Sequence, residues 1–244
     1  MVPPISPSPA PLVIPAVARH SATIIFVHGL GDTAEGVRPI PDLFRQDSSL
    51  QHVKWILPNS PTRTVTANMD IAMPSWFDIY SFGFQDKEDE EQMIVSAKYI
   101  QGLVKKEIES GTPANRIVLS GFSQGGAMAL LTTLTGAERL AGIGCLSGWL
   151  PMMKKFKDRS LKPIDPVTLG TPVFMTYGSV DPLVSNAFSK NSFETLIGEL
   201  QMEVGEKGQN KGVSYNVYSG MGHTASPEVL NDFKNFLKGV VPVI

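Results

Sequence analysis

The order of apolar and polar residues along the chain predicts strands that alternate with helices. Short apolar runs closed by glycine or proline are typical of buried strands, and the first two are TIIFVHG at 23–29 and VKWILP at 53–58. Four more runs of this kind occupy residues 116–121, 142–148, 172–178 and 213–220. Strands separated by helices predict an α/β fold with a mostly parallel central sheet and helices on both faces.

Three segments between or after these runs have helical features. From residue 88 to residue 109 apolar residues recur every three or four positions, as on the buried side of an amphipathic helix. A second helix is predicted directly after Ser123, and a third over residues 227–237, with Ser226 as N-cap and Pro227 in the first helical position.

The remaining segments show neither the short apolar runs of strands nor the period of a helix. Residues 59–86 predict a long loop, and a loop of this length inside a compact domain is usually functional. Residues 151–170 form a second irregular stretch, rich in lysine and proline. Because the chain has no internal repeat and no linker, we expect a single domain over residues 1–244, with residues 1–10 as a flexible proline-rich lead into an edge strand.

Composition and charge exclude several classes of function. The 244 residues carry a net charge of −2 and no basic stripe, which argues against nucleic acid or an anionic membrane surface as a partner. No apolar run approaches the roughly 18 residues of a membrane helix, and the N-terminus lacks the features of a secretory signal. The only cysteine, Cys145, cannot form an internal disulfide, which suits a reducing compartment; inside an apolar strand it is interpreted as a small core residue.

The stretch GFSQGG, residues 121–126, places one serine among three glycines. It fits the pattern Gly-x-Ser-x-Gly between a strand and a helix, the context of a nucleophile held on a sharp turn. Gly121 and Gly125 leave room where neighbouring backbone comes very close. Ser123 is therefore the candidate nucleophile.

A serine nucleophile needs a base, and the base needs an acid partner. Among four histidines, only His223 follows the last strand and precedes the last helix, as the chain order Ser, acid, His requires. Asp181 follows the strand at 172–178 and is the candidate acid, whereas Asp158 and Asp165 have no strand before them. The other histidines include His20 and His52, both interpreted as plain surface residues.

An oxyanion requires two hydrogen-bond donors. The backbone N–H of Gln124 is the first candidate, and that of Leu30, in the loop HGLGDT, is the second. His28 is expected to brace this loop by hydrogen bonds. The glycines of the loop do not match a dinucleotide or phosphate motif, and the histidines and cysteine lack metal-ligand spacing, so neither a cofactor nor a metal is predicted.

With these residues assembled, the chain resembles the acyl-protein thioesterases, a branch of the α/β-hydrolases that includes cytosolic lysophospholipases and carboxylesterases. The resemblance is carried by FVHGLGDT, PSWFDIY, NRIVLSGFSQGGAMAL, AGIGCLSGWLP, DPLV and YSGMGHTASPEVLNDFKNFL. It implies hydrolysis of long-chain acyl thioesters on protein cysteines, with G-protein α subunits and Ras-type proteins as partners. It further implies side activity on lysophospholipids and acyl esters, a cytoplasmic location with a nuclear pool in fungi, and no cofactor.

A long acyl chain needs an apolar groove. The candidate lining residues either form this groove or belong to the ordinary core: Leu30, Met73, Trp76, Phe77, Trp149 and Leu150. Two alternatives to a thioesterase remain: a general carboxylesterase of short acyl esters, and a catalytically inactive hydrolase fold that serves as a binding module.

Overall fold

A seven-stranded sheet forms the centre of the molecule in the computed structural model, which describes residues 8–82 and 87–244. The strands are β1 (Leu12–Ile14), β2 (Ala22–Val27), β3 (Val53–Leu57), β6 (Ile117–Phe122), β7 (Gly142–Leu146), β8 (Val173–Gly178) and β9 (Val213–Tyr218). Their order is β1-β3-β2-β6-β7-β8-β9, with β1 antiparallel and all other neighbours parallel. A separate hairpin pairs β4 (Thr62–Val65) with β5 (Ile71–Pro74).

The connections between strands contain α1 (Ala34–Val37), α2 (Pro39–Phe44), α3 (Glu90–Glu109), α4 (Gln124–Leu134), α5 (Met153–Lys157) and α6 (Asn186–Glu194), and α7 (Pro227–Val240) follows β9. The N-cap predicted for the last helix is present, since the side chain of Ser226 accepts a hydrogen bond from the Val229 amide. In the described ranges, no helix combines the length and the apolar character that crossing a bilayer would require.

Alternate side chains of the parallel strands enter two separate cores. On β2, Ile25 and Val27 belong to the cluster that contains α3 and α4, whereas Ile24 and Phe26 belong to the cluster that contains α7. Since side chains of a strand alternate between faces, helices cover both sides of the sheet. The predicted fold class, a mostly parallel sheet with helices on both faces, is confirmed.

Two predictions about irregular segments need correction. The segment 59–86 contains the hairpin β4–β5, and the segment 151–170 contains α5. The hairpin escaped the hydrophobic pattern because its buried side chains on β4 are Arg63 and Val65, an arginine and a valine, and not two apolar residues. The edge strand predicted after the N-terminal lead is present as β1; residues 1–7 of that lead lie outside the described residues, and the single domain over 1–244 stays a prediction.

The contact between α4 and the sheet is unusually close. A Cβ placed on Gly125 would lie 2.0 Å from the Val27 carbonyl oxygen, and one on Gly121 would lie 2.4 Å from the Gly125 carbonyl carbon. Cys145 is buried beneath the same contact, 3.2 Å from where a Gly126 Cβ would lie, and burial raises the pKa of its thiol to about 12. The glycines thus let the backbone of α4 rest on the backbones of β2 and β6.

This packing gives a first prediction. Gly125→Ala should lower the free energy of unfolding by about 2–3 kcal/mol, because the backbone atoms it meets cannot move aside. Gly102→Ala is the matched control within α3, where a Cβ meets nothing within 4 Å. It should raise stability by about 0.5–1 kcal/mol through the helix preference for alanine. Urea denaturation measures both, and equal effects of the two substitutions would contradict the packing argument.

Candidate active site

Ser123 is the single residue between β6 and α4, at the carboxyl edge of the sheet. Its backbone has φ 54° and ψ −120°, a region that non-glycine residues rarely occupy. Its amide donates to the Leu146 carbonyl at 2.8 Å, which ties the turn to the end of β7. The turn therefore presents the hydroxyl of Ser123 above the sheet, as the glycine pattern predicts.

The structure brings Ser123, His223 and Asp181 into one hydrogen-bonded chain. His223 Nε2 lies 2.8 Å from Ser123 Oγ, and His223 Nδ1 lies 2.7 Å from Asp181 Oδ2. The carboxylate can only accept, so Nδ1 carries the proton and Nε2 is left to accept from the serine hydroxyl. The predicted residues are thus together in the order that serine catalysis needs, and their catalytic roles are taken up under the proposed function.

The Asp181 side chain has no exposed surface, yet its charge is compensated. Its second oxygen, Oδ1, accepts from the amides of Leu183 and Val184, both at 2.9 Å. Backbone donors of this kind stabilise an ionised carboxylate away from water. Asp158, which the sequence analysis set aside as the acid, is bonded to Ser160 in an exposed turn.

The loops that carry Asp181 and His223 are bonded to each other. The Val180 amide donates to the Met221 carbonyl at 3.1 Å, and the Gly220 amide donates to Ser179 Oγ at 2.9 Å. A Cβ on Gly178 would lie 2.0 Å from the Met221 carbonyl oxygen, so only glycine permits this approach. The acid and the histidine are therefore positioned by one double loop at the ends of β8 and β9.

His28 braces the loop after β2, as expected. The Ser60 amide donates to His28 Nε2 at 3.1 Å, so the proton resides on Nδ1, which donates to the Gly29 carbonyl at 2.7 Å. The ring is fully buried, and burial lowers its pKa. His28 is therefore a neutral structural group.

The loop held by His28 lies beside the serine. A Cβ on Gly29 would be 3.4 Å from Ser123 Cβ, and no acceptor for the Leu30 amide occurs among the described residues. On the other side of Ser123, Gln124 is the first residue of α4, and amides of a first helical turn have no intrahelical acceptor. The two predicted oxyanion donors thus flank Ser123, and their role stays a prediction.

Four of the predicted groove residues are core residues. Trp76, Phe77, Trp149 and Leu150 are at most 1% exposed and belong to the cluster that contains α3 and α4. Their burial favours the second alternative, the ordinary core, and a groove lined by these four residues stays a prediction. Leu30 and Met73 retain exposed surface beside the turn; Met73 Sδ would lie 3.6 Å from a Cβ on Gly31, next to Leu30.

A second correction concerns His52, interpreted from the sequence as a surface residue. It is 3% exposed, and its Nε2 lies 3.0 Å from the Val241 carbonyl near the end of the chain. Its partner is 189 positions away, so no local pattern could reveal the contact. His20 is exposed, as expected.

Sequence reasoning missed the environment of the Gln124 side chain. Gln124 is fully buried, and its amide is bonded to residues of the segment Pro74–Phe77. The only sequence signal is a glutamine within an otherwise small and apolar stretch, together with the motif PSWFD. In the described ranges, no group of three or more histidine, cysteine, aspartate or glutamate side chains is arranged to hold a metal.

The buried neutral His28 predicts an acid-sensitive stability. Its pKa is lowered in the folded protein, so below about pH 6.5 the unfolded chain takes up a proton that the folded chain refuses, and stability falls as pH falls. The opposing charge that faces the ring is Asp32, which weakens the effect without reversing it. His28→Gln should therefore lose less unfolding free energy than the wild type between pH 7.5 and 5.5, by at most about 1.4 kcal/mol per pH unit.

Urea unfolding across this pH range measures the difference. His20 and His52, whose pKa values burial also lowers, are present in both proteins and cancel in the comparison. Identical pH dependence of the wild type and the variant would show that His28 is protonated as easily in the folded state as in the unfolded state.

Comparison with known proteins identifies the family. The sequence model of the family described as Phospholipase/Carboxylesterase matches residues 9–241. The acyl-protein thioesterase 1 of Gibberella zeae is 43% identical over 96% of this chain and 96% of its own length, and that of Neurospora crassa is 41% identical over 96% and 93%. The crystal structure of Zea mays acyl-protein thioesterase 2 superposes with a TM-score of 0.77 at 26% identity, over 95% of this chain and 98% of that one.

These matches extend over nearly the whole chain, and they include the strands, the turn at Ser123 and the loops at the ends of β8 and β9. The resemblance stated from the sequence is thereby confirmed. This chain belongs to the phospholipase/carboxylesterase family of α/β-hydrolases.

Proposed function

We propose that the protein is a serine hydrolase that removes long-chain fatty acyl groups from cysteines of proteins through an acyl-enzyme intermediate. The observation that carries the hydrolase part is the continuous chain from Asp181 Oδ2 through the imidazole of His223 to Ser123 Oγ, with contacts of 2.7 and 2.8 Å. The thioester part is supported by relatives named acyl-protein thioesterase 1 that are 35–43% identical to this chain.

The first half of the reaction transfers the acyl group to the enzyme. His223 Nε2 takes the proton of Ser123 Oγ while the oxygen attacks the thioester carbonyl, and Asp181 stabilises the imidazolium that results. The amides of Leu30 and Gln124 hold the oxyanion of the tetrahedral intermediate. When this intermediate collapses, the carbon–sulfur bond breaks and the cysteine sulfur leaves with the proton from His223.

The second half returns the free enzyme. A water molecule gives a proton to His223 Nε2 and attacks the acyl ester on Ser123. The ester bond then breaks, the fatty acid leaves, and Ser123 Oγ recovers its proton from His223. The same two steps apply to oxygen esters, so lysophospholipids and simple acyl esters are expected side substrates.

The entrance to the site suits an apolar chain. Leu30 and Met73 are the candidate lining residues with exposed surface beside the serine turn, and Leu183, two residues after Asp181, is 39% exposed. A carboxylesterase of short acyl esters would share the same triad and is the second candidate. The inactive binding module is disfavoured because it would have no need of a strained Ser123 bonded to His223.

The partners follow from the substrate. S-acylated proteins such as G-protein α subunits and Ras-type proteins are the proposed substrates, and the reaction needs neither a metal nor a cofactor. A cytoplasmic location, with a nuclear pool, suits a chain whose single thiol, Cys145, is free and buried.

The triad assignment predicts a contrast between two aspartates. Asp181→Asn should lower kcat by about 10⁴-fold, because an amide at this place would leave His223 in the wrong tautomer. Asp158→Asn is the control: this carboxylate is exposed and bonded to Ser160, so activity should stay within about twofold of the wild type. Steady-state hydrolysis of a chromogenic ester measures both, and comparable losses in the two variants would overturn the assignment of the acid.

The substrate class is tested by comparing acyl chain lengths. Each buried methylene contributes about 0.8 kcal/mol, so four more methylenes in an apolar groove should raise kcat/KM on the order of 10²-fold. We expect kcat/KM for a palmitoyl-cysteine peptide to exceed that for short acyl thioesters and esters, at concentrations below micelle formation, with Ser123→Ala as the inactive blank.

Three outcomes separate the candidates. A gradient that continues past eight carbons supports the thioesterase. A rate that falls steadily beyond four carbons would leave a short-chain carboxylesterase. If a fluorophosphonate fails to label Ser123 in the folded wild type, the protein is not a serine hydrolase and the binding module remains.

A further inference from the structure

The segment Pro74–Phe77 contacts both sides of the loop that carries Leu30. The Gly31 amide donates to the Pro74 carbonyl at 2.8 Å, and the indole Nε1–H of Trp76 donates to the His28 carbonyl at 2.9 Å. Leu30 lies between these two anchored residues. Its amide is thus fixed from both directions along the chain by groups of one segment.

The same segment holds the side chain of Gln124. The Trp76 amide donates to Gln124 Oε1 at 3.0 Å, and Gln124 Nε2 donates to the Phe77 carbonyl at 2.9 Å. Gln124 Nε2 also lies 3.0 Å from Ser75 Oγ, whose own proton goes to the Phe77 carbonyl at 2.6 Å. Both donors and the acceptor of the Gln124 amide are therefore satisfied in a site with no exposed surface.

Helix formation alone does not account for this arrangement. The N-cap of α4 is Ser123, whose side chain makes no capping bond, and Gln124 bonds to no residue of its own helix through its side chain. Burying an amide stabilises the fold little even when its hydrogen bonds are made, and costs about 1–3 kcal/mol when one is missing. What the bonds do accomplish is to tie the first residue of α4 to the loop at Leu30 through a shared partner.

We propose that Pro74–Phe77 sets the separation of the two oxyanion donors, with the indole N–H of Trp76 and the side-chain amide of Gln124 as positioning groups. This inference rests on the proposed function, because it assigns the amides of Leu30 and Gln124 to the oxyanion. Trp76 is itself immobilised: its ring stacks on Tyr99 at 6.3 Å between centroids and lies 5.1 Å from the ring of His28.

The effect of losing a brace follows from the geometry that an oxyanion needs. Donors must lie about 2.7–3.1 Å from the oxyanion, and a misplacement of about 1 Å can cost on the order of 10²-fold in rate. Ground-state binding of the acyl chain does not use these donors. The brace should therefore affect kcat much more than KM.

Trp76→Phe removes the indole N–H and keeps an aromatic ring. Its matched control is Trp55→Phe in the opposite core, since Trp55 is equally buried and no acceptor for its indole N–H occurs among the described residues. We expect Trp76→Phe to lower kcat about 10- to 100-fold with KM within about threefold of the wild type. Trp55→Phe should leave both unchanged, although its loss of ring volume is the same.

Gln124→Met removes the amide and keeps the length of the side chain, with Gln101→Met as control. Gln101 makes comparable bonds, to the Thr132 carbonyl and to Thr135 Oγ1, at the far end of α4. Gln124→Met should lower kcat by a factor similar to that of Trp76→Phe. The double variant should lose less than the product of the two factors, because both changes loosen one segment.

A trifluoromethyl ketone with a long alkyl chain reports on the oxyanion directly, because its adduct with Ser123 places an oxyanion on the same two amides. Its Ki should rise in each variant by the factor by which kcat/KM falls, while the shape of the pH–rate profile stays that of the wild type. Circular dichroism and thermal unfolding establish that the variants are folded.

The outcomes distinguish this inference from the proposed function. If the wild type neither reacts with the fluorophosphonate nor binds the ketone, the proposed serine hydrolase function is contradicted. An active wild type with kcat of Trp76→Phe equal to that of Trp55→Phe would overturn the positioning role alone. The same holds if Ki for the ketone stays constant while KM rises, since that pattern belongs to a residue that supports acyl binding. If Trp76→Phe does not fold, Gln124→Met and Gln101→Met decide between the same results.

Discussion

The close approach of α4 to β2 and β6 is the constraint on which the site depends. Gly121 and Gly125 leave no space for a Cβ, so the helix backbone lies against the Val27 and His28 carbonyls. This contact fixes the turn between β6 and α4, and with it the strained backbone of Ser123. It also places the start of α4 next to the loop after β2. A wider contact would separate the amides of Leu30 and Gln124, the two proposed oxyanion donors.

Hydrogen bonds also fix which ring nitrogen carries the proton in each of the two histidines near the turn. Asp181 receives two amides and one imidazole N–H, and this leaves His223 with its acceptor nitrogen facing the serine. His28, in the loop beside the serine turn, has the same tautomer but is fully buried. The side chain of His223 is 12% exposed, so its ring can take up a proton from the substrate side. The ring of His28 is buried and has a structural role. The two histidines therefore differ in access and in partners, since His223 donates to a carboxylate and His28 is bonded only to backbone groups.

The sequence predicts well what depends on local spacing. Ser123, Asp181 and His223 follow from glycine positions and from their order at strand ends, and the structure brings them together. It predicts poorly what depends on distant contacts. Trp76 has the same residue type whether it lines a groove or fills a core, and neither its burial nor its bonds to the His28 carbonyl and to Gln124 can be read from the sequence. The hairpin β4–β5 was not predicted for a similar reason. The buried Arg63 donates a hydrogen bond from Nε to the Ser75 carbonyl, and a hydrophobic pattern does not reveal such a contact.

The burial of Cys145 has a practical consequence. The thiol lies beneath the serine turn in a sheet strand, and its raised pKa keeps it in the unreactive form at neutral pH. Since it is the only cysteine of the chain, the folded protein offers no reactive thiol to maleimides and other thiol reagents. A cysteine introduced at any exposed position would therefore carry a fluorophore or a spin label alone. The motions of the hairpin and of the loops around Ser123 are thus open to single-site spectroscopy without first removing a native residue.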